Sequence, residues 1–191
     1  MVAEYVVKRT HSPSEATILK DGKLIGEIRK NDDGLDYVLR TKMNQKNDQK
    51  VFLLTPRVDG KISPFSIAVY EGDAGKAKDK KARIGNQILK IKNNLFWHNG
   101  QVYMMKNLPE GRLSKDHLSG SRFISRLVNF PYKSDAEVDP ETWERLRRYR
   151  GFQVGEMTGF GINGHKVKLD PELEDIGVPL SAASYLIYSA G

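Results

Sequence analysis

The sequence predicts a mainly β fold, α+β by content, in which a closed antiparallel barrel surrounds a hydrophobic C-terminal helix. Two observations lead to this prediction. Tight-turn signals separate short apolar runs from the N-terminus to Met105, and no helical period accompanies them. The final stretch, residues 176–191, has no charged side chain, although 29% of the chain is charged. A helix that is apolar or small on every side is normally buried, so it needs a surrounding wall.

The closing stretch reads IGVPLSAASYLIYSAG. Pro179 suits the first turn of a helix, because its missing N–H would have no partner there. We expect this helix at about residues 178–190, with Leu186 and Ile187 almost fully buried. It is too short for the roughly 20 apolar residues that cross a bilayer. A terminal strand over residues 184–189 remains the alternative, since Tyr-Leu-Ile-Tyr also suits a sheet.

Composition limits the classes of protein and partner. A chain of 191 residues fits a single domain, with a strand-rich part at 1–170 before the helix. Its net charge of +7 favours polyanionic partners, or reflects no more than a basic surface. The absence of cysteine excludes disulfides and thiolate metal sites. The N-terminus lacks the apolar run of a signal peptide. We expect a monomer that is cytoplasmic, with the nucleus as an alternative.

Turn residues place the strands of the first half. Asp21-Gly22 separates two short apolar runs, and Asn99-Gly100 forms the sharpest hairpin signal. Asp59-Gly60 turns the chain toward a strand in which Phe65, Ile67 and Val69 alternate with smaller residues. The predicted strands are residues 16–20, 24–28, 36–41, 51–54, 65–70, 84–92 and the hairpin 96–105.

The second half is less regular. Breakers indicate a loop at 108–121, and 122–130 fits a strand. Asp139-Pro140 opens a surface helix at 141–150, whose four arginines form a basic patch near its C-terminal end. Residues 152–157 and 165–169 read as two further strands.

No motif supports catalysis. GFGING at 159–164 matches a dinucleotide fingerprint by letter, but a strand-like HKVKLD follows it instead of a helix, so we interpret it as a hairpin loop. The four histidines are scattered, and the carboxylates at 170–175 suit capping and solvation. We therefore expect no enzyme, no cofactor and no metal.

Three segments resemble one known family. QKVFLLTPR at 49–57, followed by FSIAV at 65–69, resembles the KVFLLAxR…YLIS segment of the tubby C-terminal domain. LKIKNNLF at 89–96, followed by Val102-Tyr103, is similar to that family's GKLRSNFLG…F.IYD segment. The terminal VPLSAASYLIYSAG is similar to its closing YPLxALQAFAIALSSFD. The matches follow the family's order and leave the middle of the chain unmatched. The resemblance implies a barrel of about twelve strands with the C-terminal helix running through it.

The same resemblance implies a phosphoinositide-binding domain that is peripheral on the inner membrane face and acts as a membrane-tethered adaptor or regulator. The family's headgroup-binding positions correspond to Arg57 and Lys92. Arg57 matches the basic residue of the family at the first position, and Lys92 replaces the family's arginine at the second. Lys61 and Lys90 are candidate supporting residues. Lys90 and Lys92 would share one face of a strand, with Leu89 and Ile91 on the inner face. Any protein partner is left unknown.

Two other classes of function stay open. A basic barrel could bind nucleic acid through phosphates, with Phe96, Trp97 or Tyr103 as stacking platforms. An enzyme whose site the sequence does not reveal is the third class.

Overall fold

The fold is described from a computed structural model, which is mostly antiparallel sheet with one C-terminal helix. The structure describes residues 2–10, 12, 15–31, 36–41, 50–63, 65–72, 85–92, 95–98, 101–107, 124–129, 153–158 and 164–189.

Fourteen strands, a 3-10 helix and one α-helix make up the described part of the chain. The strands are β1 (Ala3–Arg9), β2 (Glu15–Lys20), β3 (Lys23–Lys30), β4 (Tyr37–Thr41), β5 (Lys50–Thr55), β6 (Arg57–Val58), β7 (Lys61–Ile62), β8 (Ser66–Gly72), β9 (Gln87–Lys92), β10 (Leu95–His98), β11 (Gln101–Asn107), β12 (Ile124–Asn129), β13 (Gln153–Thr158) and β14 (His165–Leu169). The 3-10 helix (Pro171–Ile176) leads directly into α1 (Gly177–Ser189).

Twelve of these strands form the main sheet, in the order β1-β14-β13-β12-β11-β10-β9-β8-β5-β4-β3-β2. Strand β1 pairs with β14 on one side and with β2 on the other, so the order returns to its starting strand. The pairing of β1 with β14 joins strands from opposite ends of the sequence, so it is a long-range contact.

The fold prediction needs correction, because it described the strands as one closed barrel. Strands β6 and β7 belong to a separate two-stranded sheet. Pro56 stands between β5 and β6 and has no N–H to continue the ladder of β5. Asp59 and Gly60 then both take positive φ, at 52° and 74°, and fold the chain back on itself as a hairpin. This local turn chemistry removes β6 and β7 from the main sheet.

The core lies on the inner face of the main sheet, where side chains alternate with those of the outer face. In β1, Tyr5 and Val7 are buried while Val6 between them is half-buried. In β9, Leu89 and Ile91 are buried in the core, as the sequence predicted.

Helix α1 fills the core. Leu186 and Ile187 are 6% and 3% exposed, which confirms the predicted burial, and every residue from Leu180 to Ile187 is buried. The helix has Pro179 in its first turn, as predicted. It continues through residues 184–189, so the alternative of a terminal strand there is wrong. It begins at Gly177, where any Cβ would collide with the phenol of Tyr5. The close approach of β1 to the helix therefore requires glycine at this position.

The buried serines of α1 have hydrogen-bond partners. Ser181 Oγ donates to the Gly177 carbonyl oxygen at 2.6 Å, within the helix. Ser184 Oγ lies 2.8 Å from Nε2 of His165 on β14 and 3.1 Å from the Ser181 carbonyl oxygen. The Nδ1 atom of His165 faces the carbonyl oxygen of Thr158 at 2.8 Å. The Thr158 carbonyl oxygen can only accept, so a neutral ring carries its proton on Nδ1 and Nε2 accepts from the Ser184 hydroxyl, whose single proton is then shared between Nε2 and the Ser181 carbonyl oxygen.

The 3-10 helix is tied to the sheet by its carboxylates. Lys20 Nζ donates to Glu174 Oε1 at 2.6 Å, and this bond lowers the pKa of the exposed Glu174. Asp175 Oδ2 lies 3.0 Å from Nε2 of His98 on β10. Asp170 occupies the N-cap position, but its side chain makes no capping hydrogen bond. These acidic residues therefore attach the helix to the sheet in addition to solvating it.

The predicted strands of the first half agree with β2, β3, β4, β5, β9, β10 and β11 apart from their ends, and the Asp21-Gly22 turn is confirmed by φ values of 49° and 79°. The prediction for Phe65 is wrong. Phe65 lies in a turn before β8 and is 54% exposed, whereas Ile67 and Val69 are buried as expected. In the second half, β12, β13 and β14 match the predicted strands.

Several predicted features lie outside the described residues. They are the loop at 108–121, the helix at 141–150 with its arginine patch, the Asn99-Gly100 turn, and His11 and His117.

The first prediction concerns the helix core. Leu186→Ala should lower the free energy of unfolding by about 2–5 kcal/mol, because a large buried side chain leaves a cavity in a close-packed core. Denaturant unfolding measures the change. Leu24→Ala is the control. Because Leu24 is 44% exposed, this variant should lose much less unfolding free energy. Equal losses for the two variants would contradict the enclosed helix.

The second prediction concerns pH. Burial lowers the pKa of His165 from 6.5 to about 4, so the unfolded chain takes up a proton at higher pH than the folded one. Stability should therefore fall as the pH drops from 6.5 toward 4, by up to about 3 kcal/mol from this group. Unfolding free energies of the parent and of His165→Asn, measured across this window, should differ in slope. Parallel profiles would contradict the buried neutral imidazole.

Candidate anion-binding surface

The two lysines of β9 lie on the outer face of the main sheet. Their neighbours Leu89 and Ile91 point into the core, so the alternation of the strand places Lys90 and Lys92 together on the other side. This confirms the predicted common face. The lysines differ in exposure, since 11% of the Lys90 side chain and 34% of the Lys92 side chain are accessible to solvent.

The β6–β7 hairpin crosses this outer face. Strand β6 packs against β8, which pairs with β9 so that Ala68 opposes Lys90 and Ser66 opposes Lys92. Val58 of the hairpin and Ala68 of β8 are both buried, at 5% and 1% exposure, although neither belongs to the inner core. The hairpin is therefore seated on the sheet by apolar contact.

Asp59, at the tip of this hairpin, contacts both lysines. Its Oδ1 atom lies 3.7 Å from Lys90 Nζ, and its Oδ2 atom lies 3.6 Å from Lys92 Nζ. These are ion pairs at the long end of the range, and the Asp59 side chain is 49% exposed. One carboxylate thus bridges two ammonium groups and leaves the trio with a net charge of +1.

Lys90 is held by a second interaction. Its ammonium group lies 4.8 Å from the centre of the Trp97 ring, within the range of a cation–π contact. Trp97 follows in β10 and pairs with Lys90 across the two strands. With Asp59 on one side and the indole on the other, Lys90 is the least accessible of the predicted site residues. Lys90 therefore adds positive charge to this surface, whereas Arg57, Lys61 and Lys92 are more accessible to a ligand.

Arg57 and Lys61 are the exposed cations of the hairpin. Arg57 belongs to β6, beyond Pro56, and not to the preceding strand β5. Each stands two residues from Asp59, so its Cα lies within about 8 Å of that of Asp59. In the described part of the chain, neither side chain forms an ion pair with a carboxylate.

The structure therefore places Lys90 and Lys92 on the outer face around Asp59, and Arg57 and Lys61 on the hairpin that carries Asp59. We call these four residues the basic face. Sequence reasoning missed Asp59 as its centre. The available signal was the strong turn at Asp59-Gly60, which predicts a reversal but does not reveal which strand the reversed chain lies against.

The aromatic residues suggested for nucleobase stacking are not available for it. Phe96 and Tyr103 stack on each other inside the core, with ring centres 4.8 Å apart, and are 0% and 5% exposed. Trp97 is 7% exposed and is covered by the Lys90 ammonium group.

The glycine-rich segment 159–164 joins β13 to β14, two antiparallel neighbours. This confirms the interpretation as a hairpin connection, because a strand and not a helix follows it. Only Gly164 is described, and its φ of 84° suits a turn. A Cβ there would lie 2.6 Å from the Val7 carbonyl oxygen.

Two further absences apply to the described residues alone. Among them, no group of three or more histidine and acidic side chains has the arrangement of a metal site. None of their helices combines the length and the hydropathy that crossing a membrane requires.

Comparison of the chain with protein-family models, with curated proteins and with solved structures found no match.

Proposed function

We propose that the chain is a non-enzymatic domain that binds phosphorylated anionic lipid headgroups, phosphoinositides in particular, and thereby acts as a membrane-tethered adaptor or regulator. The observation that carries the proposal is the basic face, where Arg57 and Lys61 flank a carboxylate that already bridges Lys90 and Lys92. The resemblance of residues 49–57 and 89–96 to the tubby C-terminal domain points in the same direction.

The chemistry of the basic face suits a multiply charged phosphate. Arg57 offers a planar guanidinium that can bind two phosphate oxygens at once, while Lys61 and Lys92 act as point charges. The Asp59 carboxylate shows that an anion fits between Lys90 and Lys92. A phosphate group can replace or join it there, because ion pairs exposed to solvent are individually weak.

The charge of the whole chain adds to this local arrangement. A net charge of +7 raises the concentration of the protein near an anionic surface. Each basic side chain close to such a membrane contributes about 1 kcal/mol, and the attraction falls as salt rises. Several weak contacts on one face are therefore sufficient for reversible binding to a bilayer.

Nucleic acid remains the second candidate partner on charge alone. The burial of Phe96, Tyr103 and Trp97 removes the three stacking platforms that the sequence suggested for nucleobases. Phosphate contacts without stacking would give binding that is weak and independent of sequence.

The third prediction removes the exposed cations. Arg57→Ala combined with Lys92→Ala should weaken binding to vesicles containing phosphatidylinositol bisphosphate by roughly tenfold or more, because two contributions of about 1 kcal/mol are lost. Vesicle sedimentation at physiological salt measures the affinity. A single-stranded DNA shift measured in parallel should change less.

The matched control for this prediction is Lys23→Ala with Arg29→Ala, which removes the same two charge types from exposed positions on β3. In the main sheet, β4 and β5 separate that strand from β8. Equal weakening by both pairs would indicate non-specific attraction and would contradict a localised site. A parent protein that ignores these vesicles would contradict the proposed function itself.

The fourth prediction concerns the central carboxylate. Asp59→Asn should strengthen vesicle binding several-fold, because it removes a negative charge that competes for Lys90 and Lys92. Asparagine tolerates the positive φ of this position, so the turn should persist. Asp21→Asn is the matched control, since Asp21 also has positive φ in a turn of the form Asp-Gly. Unchanged or weaker binding of Asp59→Asn would show that the carboxylate does not compete with the ligand.

A further inference from the structure

Two large apolar side chains protrude from the chain beside the basic face. Ile62 is 58% exposed and Phe65 is 54% exposed. Among the described residues, Val2 and Leu24 are the other large hydrophobic side chains with comparable exposure. Val2 and Leu24 belong to the β1–β3 region, whereas Ile62 and Phe65 lie three residues apart at the end of the β6–β7 hairpin.

The backbone holds both side chains in defined positions. Ile62 pairs with Arg57 across the two strands of the hairpin, which places their side chains on the same face. Phe65 lies in a turn that is closed by a hydrogen bond of 3.3 Å from Ser66 N–H to the Ser63 carbonyl oxygen. Ser63 N–H in turn donates to the Pro56 carbonyl oxygen at 3.4 Å. These hydrogen bonds connect the segment that carries Phe65 to the base of the hairpin.

We propose that Ile62 and Phe65 insert into the bilayer at the boundary between headgroups and acyl chains, while Arg57 and Lys61 bind the anionic headgroups around them. This inference rests on the proposed function and specifies its ligand as a lipid surface and not as a free phosphate.

Charge complementarity selects this occupant. A membrane interface presents anionic groups directly above hydrocarbon, and surface-binding segments match it with apolar side chains beside lysine and arginine. The hairpin has this combination within six residues, Arg57 to Ile62, and Phe65 follows three residues later. Insertion also explains why the apolar side chain of Ile62 is exposed beside that of Arg57.

Vesicle binding compared with headgroup binding tests the insertion. Ile62→Ser with Phe65→Ser should weaken binding to vesicles of phosphatidylcholine with phosphatidylinositol bisphosphate by roughly tenfold or more, because the apolar contribution is lost. Binding of the soluble probe inositol trisphosphate, measured by calorimetry, should stay within twofold of the parent. The control pair is Val2→Ser with Leu24→Ser, which removes the other exposed hydrophobics and should leave vesicle binding unchanged.

The outcomes separate the inference from the proposed function. If the double variant binds vesicles as well as the parent, the insertion is overturned while headgroup binding stands. If the variant loses vesicles and soluble headgroup equally, the side chains support the fold of the site and the insertion is again overturned. A parent that binds neither probe overturns the proposed function together with the insertion.

A second measurement reports the depth of the side chain directly. The chain has no cysteine, so Phe65→Cys and Leu24→Cys each provide a unique attachment point for an environment-sensitive fluorophore. Addition of the phosphoinositide vesicles should shift the emission of the label at position 65 to the blue, and should leave the label at position 24 unchanged. Equal responses at the two positions, or none at position 65, would overturn the insertion.

Discussion

The structure depends on the burial of α1 on all sides. A helix with no charged side chain and no single polar stripe can be stabilised only if it is surrounded, since hydrophobic burial dominates the favourable free energy of folding. The main sheet supplies that surrounding wall by pairing its first strand with both β2 and β14. Burial in turn requires each polar group of the helix to have a hydrogen-bond partner. Ser181 bonds to the Gly177 carbonyl oxygen within the helix, and Ser184 bonds to His165.

This constraint leaves the outer face of the sheet available for the proposed binding site. Strand alternation commits Leu89 and Ile91 to the helix, and it sends Lys90 and Lys92 outward without any further cost in core packing. The β6–β7 hairpin then adds what a flat sheet face cannot provide. It places a carboxylate between the lysines, and it lifts Arg57 and Ile62 above the surface. The rigid core and the binding surface are therefore two sides of the same strands.

The parts of the fold that the sequence predicted are those governed by local patterns. The uncharged helix, the Asp21-Gly22 turn and the common face of Lys90 and Lys92 each follow from residues close in sequence. Strand β1 was not predicted, because Val6 between Tyr5 and Val7 is also apolar and interrupts the alternation of apolar and polar residues. Strands β6 and β7 have two residues each, too few to show any period, and Phe65 was placed in β8 because its alternation with Ile67 continues the strand pattern by one residue too many.

The candidate site was predictable in its cations but not in its central anion. The charges of Arg57, Lys61, Lys90 and Lys92 are evident in the sequence, whereas the contact of Asp59 with two lysines about 30 residues away depends on how the hairpin is seated on β8. That contact has a physical consequence for selectivity. Exposed ion pairs of this kind contribute about 0–1 kcal/mol each, so a singly charged anion gains little by replacing a carboxylate that is already in place. Under the proposed function, a headgroup with several phosphates would gain from contacts to Arg57 and Lys61 as well, so the carboxylate would favour multiply charged ligands over single anions.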